Sequence, residues 1–177
     1  MTRTSLIITF LTAGATPLWA QAAAPANPAV SAVRGMSEAM ANNILKSAEQ
    51  MPEEKFSYRP TPEVRSFGEI VGHVAGAQNM ICAVAMGEQP PAEDAVEKAT
   101  TTKAGLIEAL KASTAYCGKA FAQSDADVQQ PVEMFGMKTT RLGALVLNAT
   151  HNGEHYGNLV TYLRINGMVP PSSQRGM

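Results

Sequence analysis

Histidine is scarce in this chain of 177 residues, with three in all, and there are only two cysteines and one tryptophan. Aromatic residues make up 6% of the sequence, while alanine, leucine and methionine are plentiful, a balance that favours helix over sheet. Charge is sparse and even, with 14 Lys and Arg against 15 Asp and Glu and no basic cluster, so nucleic acid is excluded as a natural partner. No Cys-x-x-Cys-His is present to attach a c-type haem. No Glu-x-x-His pairs sit on two helices to build a di-iron carboxylate bundle. Internal repeats and low-complexity tracts are also missing. No uncharged apolar run reaches the ~20 residues that a spanning helix needs.

The longest apolar run is at the start. Arg3 precedes an uncharged stretch at residues 5–19, and Ala20-Gln21-Ala22 supplies the small-x-small pattern of a cleavage site. Residues 1–22 therefore read as a secretory signal peptide, 23–29 as a flexible leader, 30–171 as one domain and 172–177 as a tail. A retained membrane anchor is the alternative, disfavoured by length. Cleavage leaves no stable membrane span and places the protein in the periplasm or outside the cell. Removing Arg3, the only charged residue of that segment, makes the mature chain slightly more acidic than the −1 of the whole. In an oxidising compartment, an even cysteine count makes a Cys82–Cys117 disulfide the expected state, against two buried free thiols.

Four segments carry the apolar period of helices. The first, residues 30–51, places Val33, Met36, Met40, Ile44, Leu45 and Ala48 on one face and is stopped by Pro52. Met36, Met40 and Met51 are assigned there to core packing rather than to soft-metal binding. The second, 66–86, opens with the Ser66/Glu69 capping box and closes at Gly87 ahead of Pro90 and Pro91. The third, 102–121, is capped by Thr101 or Thr102 and aligns Leu106, Leu110, Ser113, Cys117 and Phe121. The fourth, 140–166, ends at Gly167, with Pro170 and Pro171 beyond it. The connections 52–65, 87–101 and 122–139 read as irregular, with a short extended piece at 132–136. Four such faces are buried together in an all-α four-helix bundle.

Heights along the helices constrain the topology. Cys82 lies as far into the second helix as Cys117 lies into the third, so a bond between them requires parallel helices, since bonded cysteines hold their Cα atoms ~5–6 Å apart. His73 sits as far from the end of the second helix as His151 and His155 sit from the start of the fourth, which matches an antiparallel pair. Both constraints select an up-down-down-up order.

His151 and His155, four apart, share one helical face and can bind one metal ion. Asn148, Glu154, Asn158 and Tyr162 extend this polar stripe, and buried polar groups are costly unless paired or metal-bound. A lone histidine such as His73 is more often a satisfied core residue. Here all three histidines of the chain fall at one height, and three imidazoles leave coordination positions open, as catalytic or exchangeable sites do. His151-Asn152-Gly153-Glu154-His155 also fits H-x-x-E-H, the inverted zinc-protease motif. That reading fails because no acidic residue follows Glu154 to serve as third ligand.

One histidine in Phe67-Gly68-Glu69-Ile70-Val71-Gly72-His73 and the pair in His151-Asn152-Gly153-Glu154-His155-Tyr156-Gly157-Asn158 resemble the DinB family. This group of four-helix bundles includes bacillithiol- and mycothiol-dependent transferases. The resemblance spans about residues 30–171. It implies an up-down-down-up bundle, a metal held by His73, His151 and His155, and frequent homodimers. Export and a disulfide depart from the family's cytoplasmic thiol-dependent members.

Three functions follow. The first is a metal-dependent enzyme, a thiol transferase or hydrolase acting on a small molecule, with Glu154, Asn158 and Tyr162 around the metal. Glu69 is ambiguous there because its capping role already explains it. The second is a non-catalytic periplasmic protein binding a metal or small ligand, and the third a bundle with a vestigial site. Without thiolate ligands the metal is zinc or nickel, with iron and manganese also compatible.

Overall fold

The computed structural model of the protein describes residues 26–174. The expected signal peptide lies outside the described residues. Pro28 opens the first helix, α1 (Pro28–Gln50), two residues earlier than the apolar period suggests. Its fixed φ and missing N–H suit a first helical position. The amides of Ala29 and Val30, which have no partner within the helix, donate to the Asp125 carboxylate at 3.0 and 2.9 Å, so a distant loop caps this end. At the other end Lys103 donates to the carbonyls of Glu49 and Met51, placing a cation where helix carbonyls are unpaired.

The second helix, α2 (Phe67–Met86), begins with the expected capping box, both halves of which form between Ser66 and Glu69. It ends in a Schellman turn: Gly87 takes φ +76°, Glu88 N–H donates to Ala83 and Gly87 N–H to Val84. Of its side chains only Glu69 is charged, and nearly all are buried, as expected for a helix apolar all round. A short helix missed in the sequence, α3 (Ala95–Ala99), follows in the crossing segment. Then come α4 (Lys103–Ala120), with Thr102 as cap, a hairpin of β1 (Pro131–Met134) and β2 (Met137–Thr140), and α5 (Arg141–Ile165). The hairpin extends the short piece expected at 132–136. Its two-residue loop, Phe135-Gly136, has positive φ at both positions, as a type I′ turn requires.

The pairs that meet fix the helix directions. Gln78 meets Ser113 and Cys82 bonds Cys117, so α2 and α4 run the same way. The disulfide spans 35 residues with Cα atoms 5.3 Å apart. Between α2 and α5 the order reverses: His73 meets His151, while Arg65, just before α2, meets Tyr162 near the end of α5. Ser37 bonds Asn148, and Gln50 reaches Val169, so α1 and α5 are parallel. These are the directions that an up-down-down-up order requires.

Two apolar clusters fill the bundle. One gathers Ile44, Met51, Phe67, Val71, Leu110, Leu159 and Leu163. The other gathers Val30, Ile81, Cys82, Cys117, Phe121 and Leu145. Each fully buried side chain of this size contributes about 1.5–3 kcal/mol. Between the clusters lies a buried polar belt of Ser37, Gln78, Ser113, Asn148 and Asn152, tied by Gln78–Ser113 and Ser37–Asn148 hydrogen bonds. Met36 departs from expectation: it is 60% exposed, because Ser37 takes the inward position to bond Asn148. Among the described residues no helix is long and apolar enough to cross a membrane.

Candidate metal centre

Every fourth residue on one face of α2 is glycine: Gly68, Gly72 and Gly76. A Cβ at Gly76 would lie 1.9 Å from the Glu93 carbonyl oxygen, and one at Gly72 3.0 Å from Glu97 Cα. The missing side chains let the crossing segment and α3 lie directly on α2, beside His73. On its other flank α2 packs on α5, whose 3.6-residue turn stacks His151 and His155 toward the same point.

There the three rings converge. Nε2 of His151 lies 3.2 Å from Nε2 of His73 and 3.1 Å from Nε2 of His155. The three ligand atoms all fall within 4.8 Å of one another. Metal–imidazole bonds of ~2.1 Å put neighbouring ligand nitrogens roughly 3.0–3.4 Å apart, so these spacings suit one ion. Ligation also needs neutral rings. Burial pushes His73 down to about 3 and His155 down to about 4, with Arg65 and the neighbouring rings adding to the effect. His151 is lowered too, chiefly by burial, against the opposing pull of Glu93 and Glu154. At neutral pH each ring therefore offers a lone pair.

The other expected residues divide. Asn158 places its amide 3.4 Å from His155 Nδ1. The contact is made by the side-chain nitrogen Nδ2, and which partner donates follows the tautomer of the ring. Glu154 is exposed on the rim. Tyr162 is buried and its hydroxyl donates to the Arg65 carbonyl at 2.6 Å, so it holds a loop in place and is not free for chemistry. Glu69 is occupied by its capping bond and a pair with Arg59, which settles it as structural. A cleft of about 670 Å³ opens beside His155, bounded by Pro60, Val64, Arg65, Glu154, Asn158 and Tyr162.

Three charged neighbours of the histidines were not found in the sequence: Arg65, Glu93 and Glu97. Glu93 Oε1 is 4.0 Å from His73 Nε2, Glu97 Oε2 is 3.9 Å from His73 Nδ1, and Arg65 Nε bonds Glu97 Oε1 at 3.1 Å. All lie in connections that read as irregular. The one available signal was the glycine repeat, which marks a helix face that another backbone approaches closely.

Comparison with known proteins agrees with this fold. A DinB-like protein from Bacillus subtilis superposes with a TM-score of 0.65 at 23% identity, covering 81% of this chain and 99% of its own. A DinB-like protein from Bacillus cereus ATCC 10987 gives 0.65 at 17% identity, over 77% of this chain and 94% of its own. A mycothiol-dependent maleylpyruvate isomerase gives 0.61 at 14% identity, over 73% of this chain and 60% of its own. At these identities the likeness concerns the fold. No curated protein matches the sequence. The profile of the DinB superfamily matches residues 36–159, a span that contains all three histidines and most of the four-helix bundle, and the chain belongs to that superfamily.

Proposed function

We propose that this is an exported DinB-like protein that binds one divalent metal through His73, His151 and His155 and uses it as a metal-dependent thiol transferase or hydrolase. The observation that carries the reading is the convergence of three neutral Nε2 atoms at ligand spacing. Zinc or nickel suits an all-imidazole donor set, and iron or manganese is compatible with it. A metal there would act as a Lewis acid, lowering the pKa of a thiol or water bound at an open position. The chain's own residues supply the rest. The cleft beside His155 admits a small molecule, Arg65 and Asn158 line it, and Glu154 offers a carboxylate at the rim. The Tyr162 hydroxyl fixes the backbone that carries Arg65. A mycothiol-dependent isomerase among the structures of similar fold supports a small thiol as co-substrate. Export rests on the N-terminal sequence pattern alone.

Elemental analysis of the purified mature protein, beside His151→Ala, is the test. About one metal per chain, lost in the variant, is expected. No metal in the wild type, even after reconstitution with zinc, nickel and manganese, would overturn the reading. Bound metal without turnover of thiol-transfer or hydrolase substrates would leave a non-catalytic metal-binding protein of the periplasm.

A further inference from the structure

The face of His73 turned away from His151 is unfinished. Its Nδ1 is buried and has no hydrogen-bond partner. A buried N–H without an acceptor costs about 1–3 kcal/mol, so such an atom points to a neighbour that can approach it. Two carboxylates flank the ring, and they are not equivalent. Glu93 stands 4.0 Å from Nε2, on the side where the three rings converge, and its side chain is 39% exposed. Glu97 stands 3.9 Å from Nδ1, on the orphaned side, and is 19% exposed. The second oxygen of Glu97 is already held by Arg65.

We infer that Glu97 is the acceptor of the His73 Nδ1–H, with Arg65 holding Glu97, and that this chain fixes the tautomer in which Nε2 presents its lone pair to a metal. The inference rests on the metal reading above and adds a positioning residue to it. Histidines that bind a metal through one nitrogen generally donate the other N–H to a carboxylate, carbonyl or water, which fixes the ring and raises its basicity. Closing the gap to a charge-assisted bond of ~2.8 Å needs a movement of about 1 Å. The glycine face explains how the carboxylate comes to be there. Glu97 belongs to α3, a five-residue helix lying against Gly72, and any side chain at position 72 would press on its backbone. His73 follows Gly72 directly, so the seat that admits α3 also brings its carboxylate to the ring.

The experiment titrates full-length mature protein with zinc alone against a chromophoric chelator, for wild type, Glu97→Gln and Glu93→Gln. Nitrogen-15 NMR of the histidine rings is recorded on the metal-free proteins. Glu97→Gln keeps the shape and is expected to weaken zinc binding 10–100-fold. Glu93→Gln, which removes the same charge from the other side of the ring, is expected to change it by about threefold or less, as for a partly exposed charge. The wild-type spectrum is expected to show His73 protonated on Nδ1, and Glu97→Gln to mix the tautomers. Zinc affinity unchanged in Glu97→Gln, or equal weakening in both variants, would overturn the inference by reducing it to nothing or to bulk charge. If the wild type binds no zinc, the metal reading fails. The wild-type spectrum still decides the hydrogen bond, and a His73 protonated on Nε2 would overturn it. That spectrum also decides the matter if Glu97→Gln does not fold.

Discussion

Phe135 is the one described residue other than glycine with a positive φ, at +52°, and its ring is 59% exposed. Holding a bulky residue in the left-handed region costs about 1–2 kcal/mol, and the exposed ring recovers little of it. Phe135→Asn is therefore expected to stabilise the protein by about 0.5–1 kcal/mol, read as a raised midpoint in urea unfolding. The sequence marked the extended piece at 132–136 but not the turn, because Phe-Gly is not a usual type I′ pair. The histidines were legible for the opposite reason. Their chemistry is rare in this chain, and the four-residue step between His151 and His155 has one geometric meaning on a helix. Arg65, Glu93 and Glu97 were not legible, since charged residues in loops are normally solvated and only tertiary packing brings these three to His73. Met36 misled because its period matches the core face, while the buried Ser37–Asn148 bond shifts that face by one residue.

At the scale of elements, two connections hold the site in shape. The disulfide joins α2 to α4 within the second apolar cluster. Replacing both Cys82 and Cys117 with alanine is expected to cost about 3–4 kcal/mol, by the chain-entropy estimate for a closed loop of this length. Chemical denaturation would show it, and reduction of the wild type should move the midpoint in the same direction. The second connection is the glycine seat. Gly76→Ala puts a methyl into the Glu93 carbonyl and is expected to destabilise by about 1–3 kcal/mol through forced backbone displacement. It should also weaken metal binding, since Glu93 and Glu97 move with the segment. Gly153→Ala on α5, with open space around it, serves as a control that should not destabilise the fold. Helix ends were readable to within two residues because Ser66, Gly87, Thr102 and Gly167 each do a definable job there. The short α3 was not, as five residues carry too little period to separate from a loop.

For the whole molecule, the histidines couple stability to pH. In the unfolded chain each titrates near 6.5. In the fold His73 is held at about 3 and His155 at about 4. Between those limits the unfolded chain binds protons that the folded chain does not, so this contribution is fully present above pH 6.5 and is lost as pH falls toward 4 and 3. Metal-free protein is therefore expected to melt at progressively lower temperature below pH 6.5, before Glu69 and Asp127 begin to protonate. A His73→Phe, His155→Phe variant should flatten that slope. Metal at 100 times its Kd should add about 2.7 kcal/mol to stability, an effect that fades as protons compete for the same nitrogens. The bundle itself was legible from four apolar periods, and the helix directions from two coincidences of height. The division of its interior into two greasy halves around a polar belt was not, because Gln78 and Asn152 look like surface residues until the helices meet. The shared direction of α1 and α5 has a practical corollary. Asn27 leaves the bundle beside Asp125, at the end remote from the cleft, whereas Gln174 pairs with Gln50 at the same end as the cleft. An affinity handle or surface linker fused ahead of Asn27 thus leaves the approach to His155 open, while the same fusion after Gln174 adds its bulk at the end of the bundle that carries the cleft.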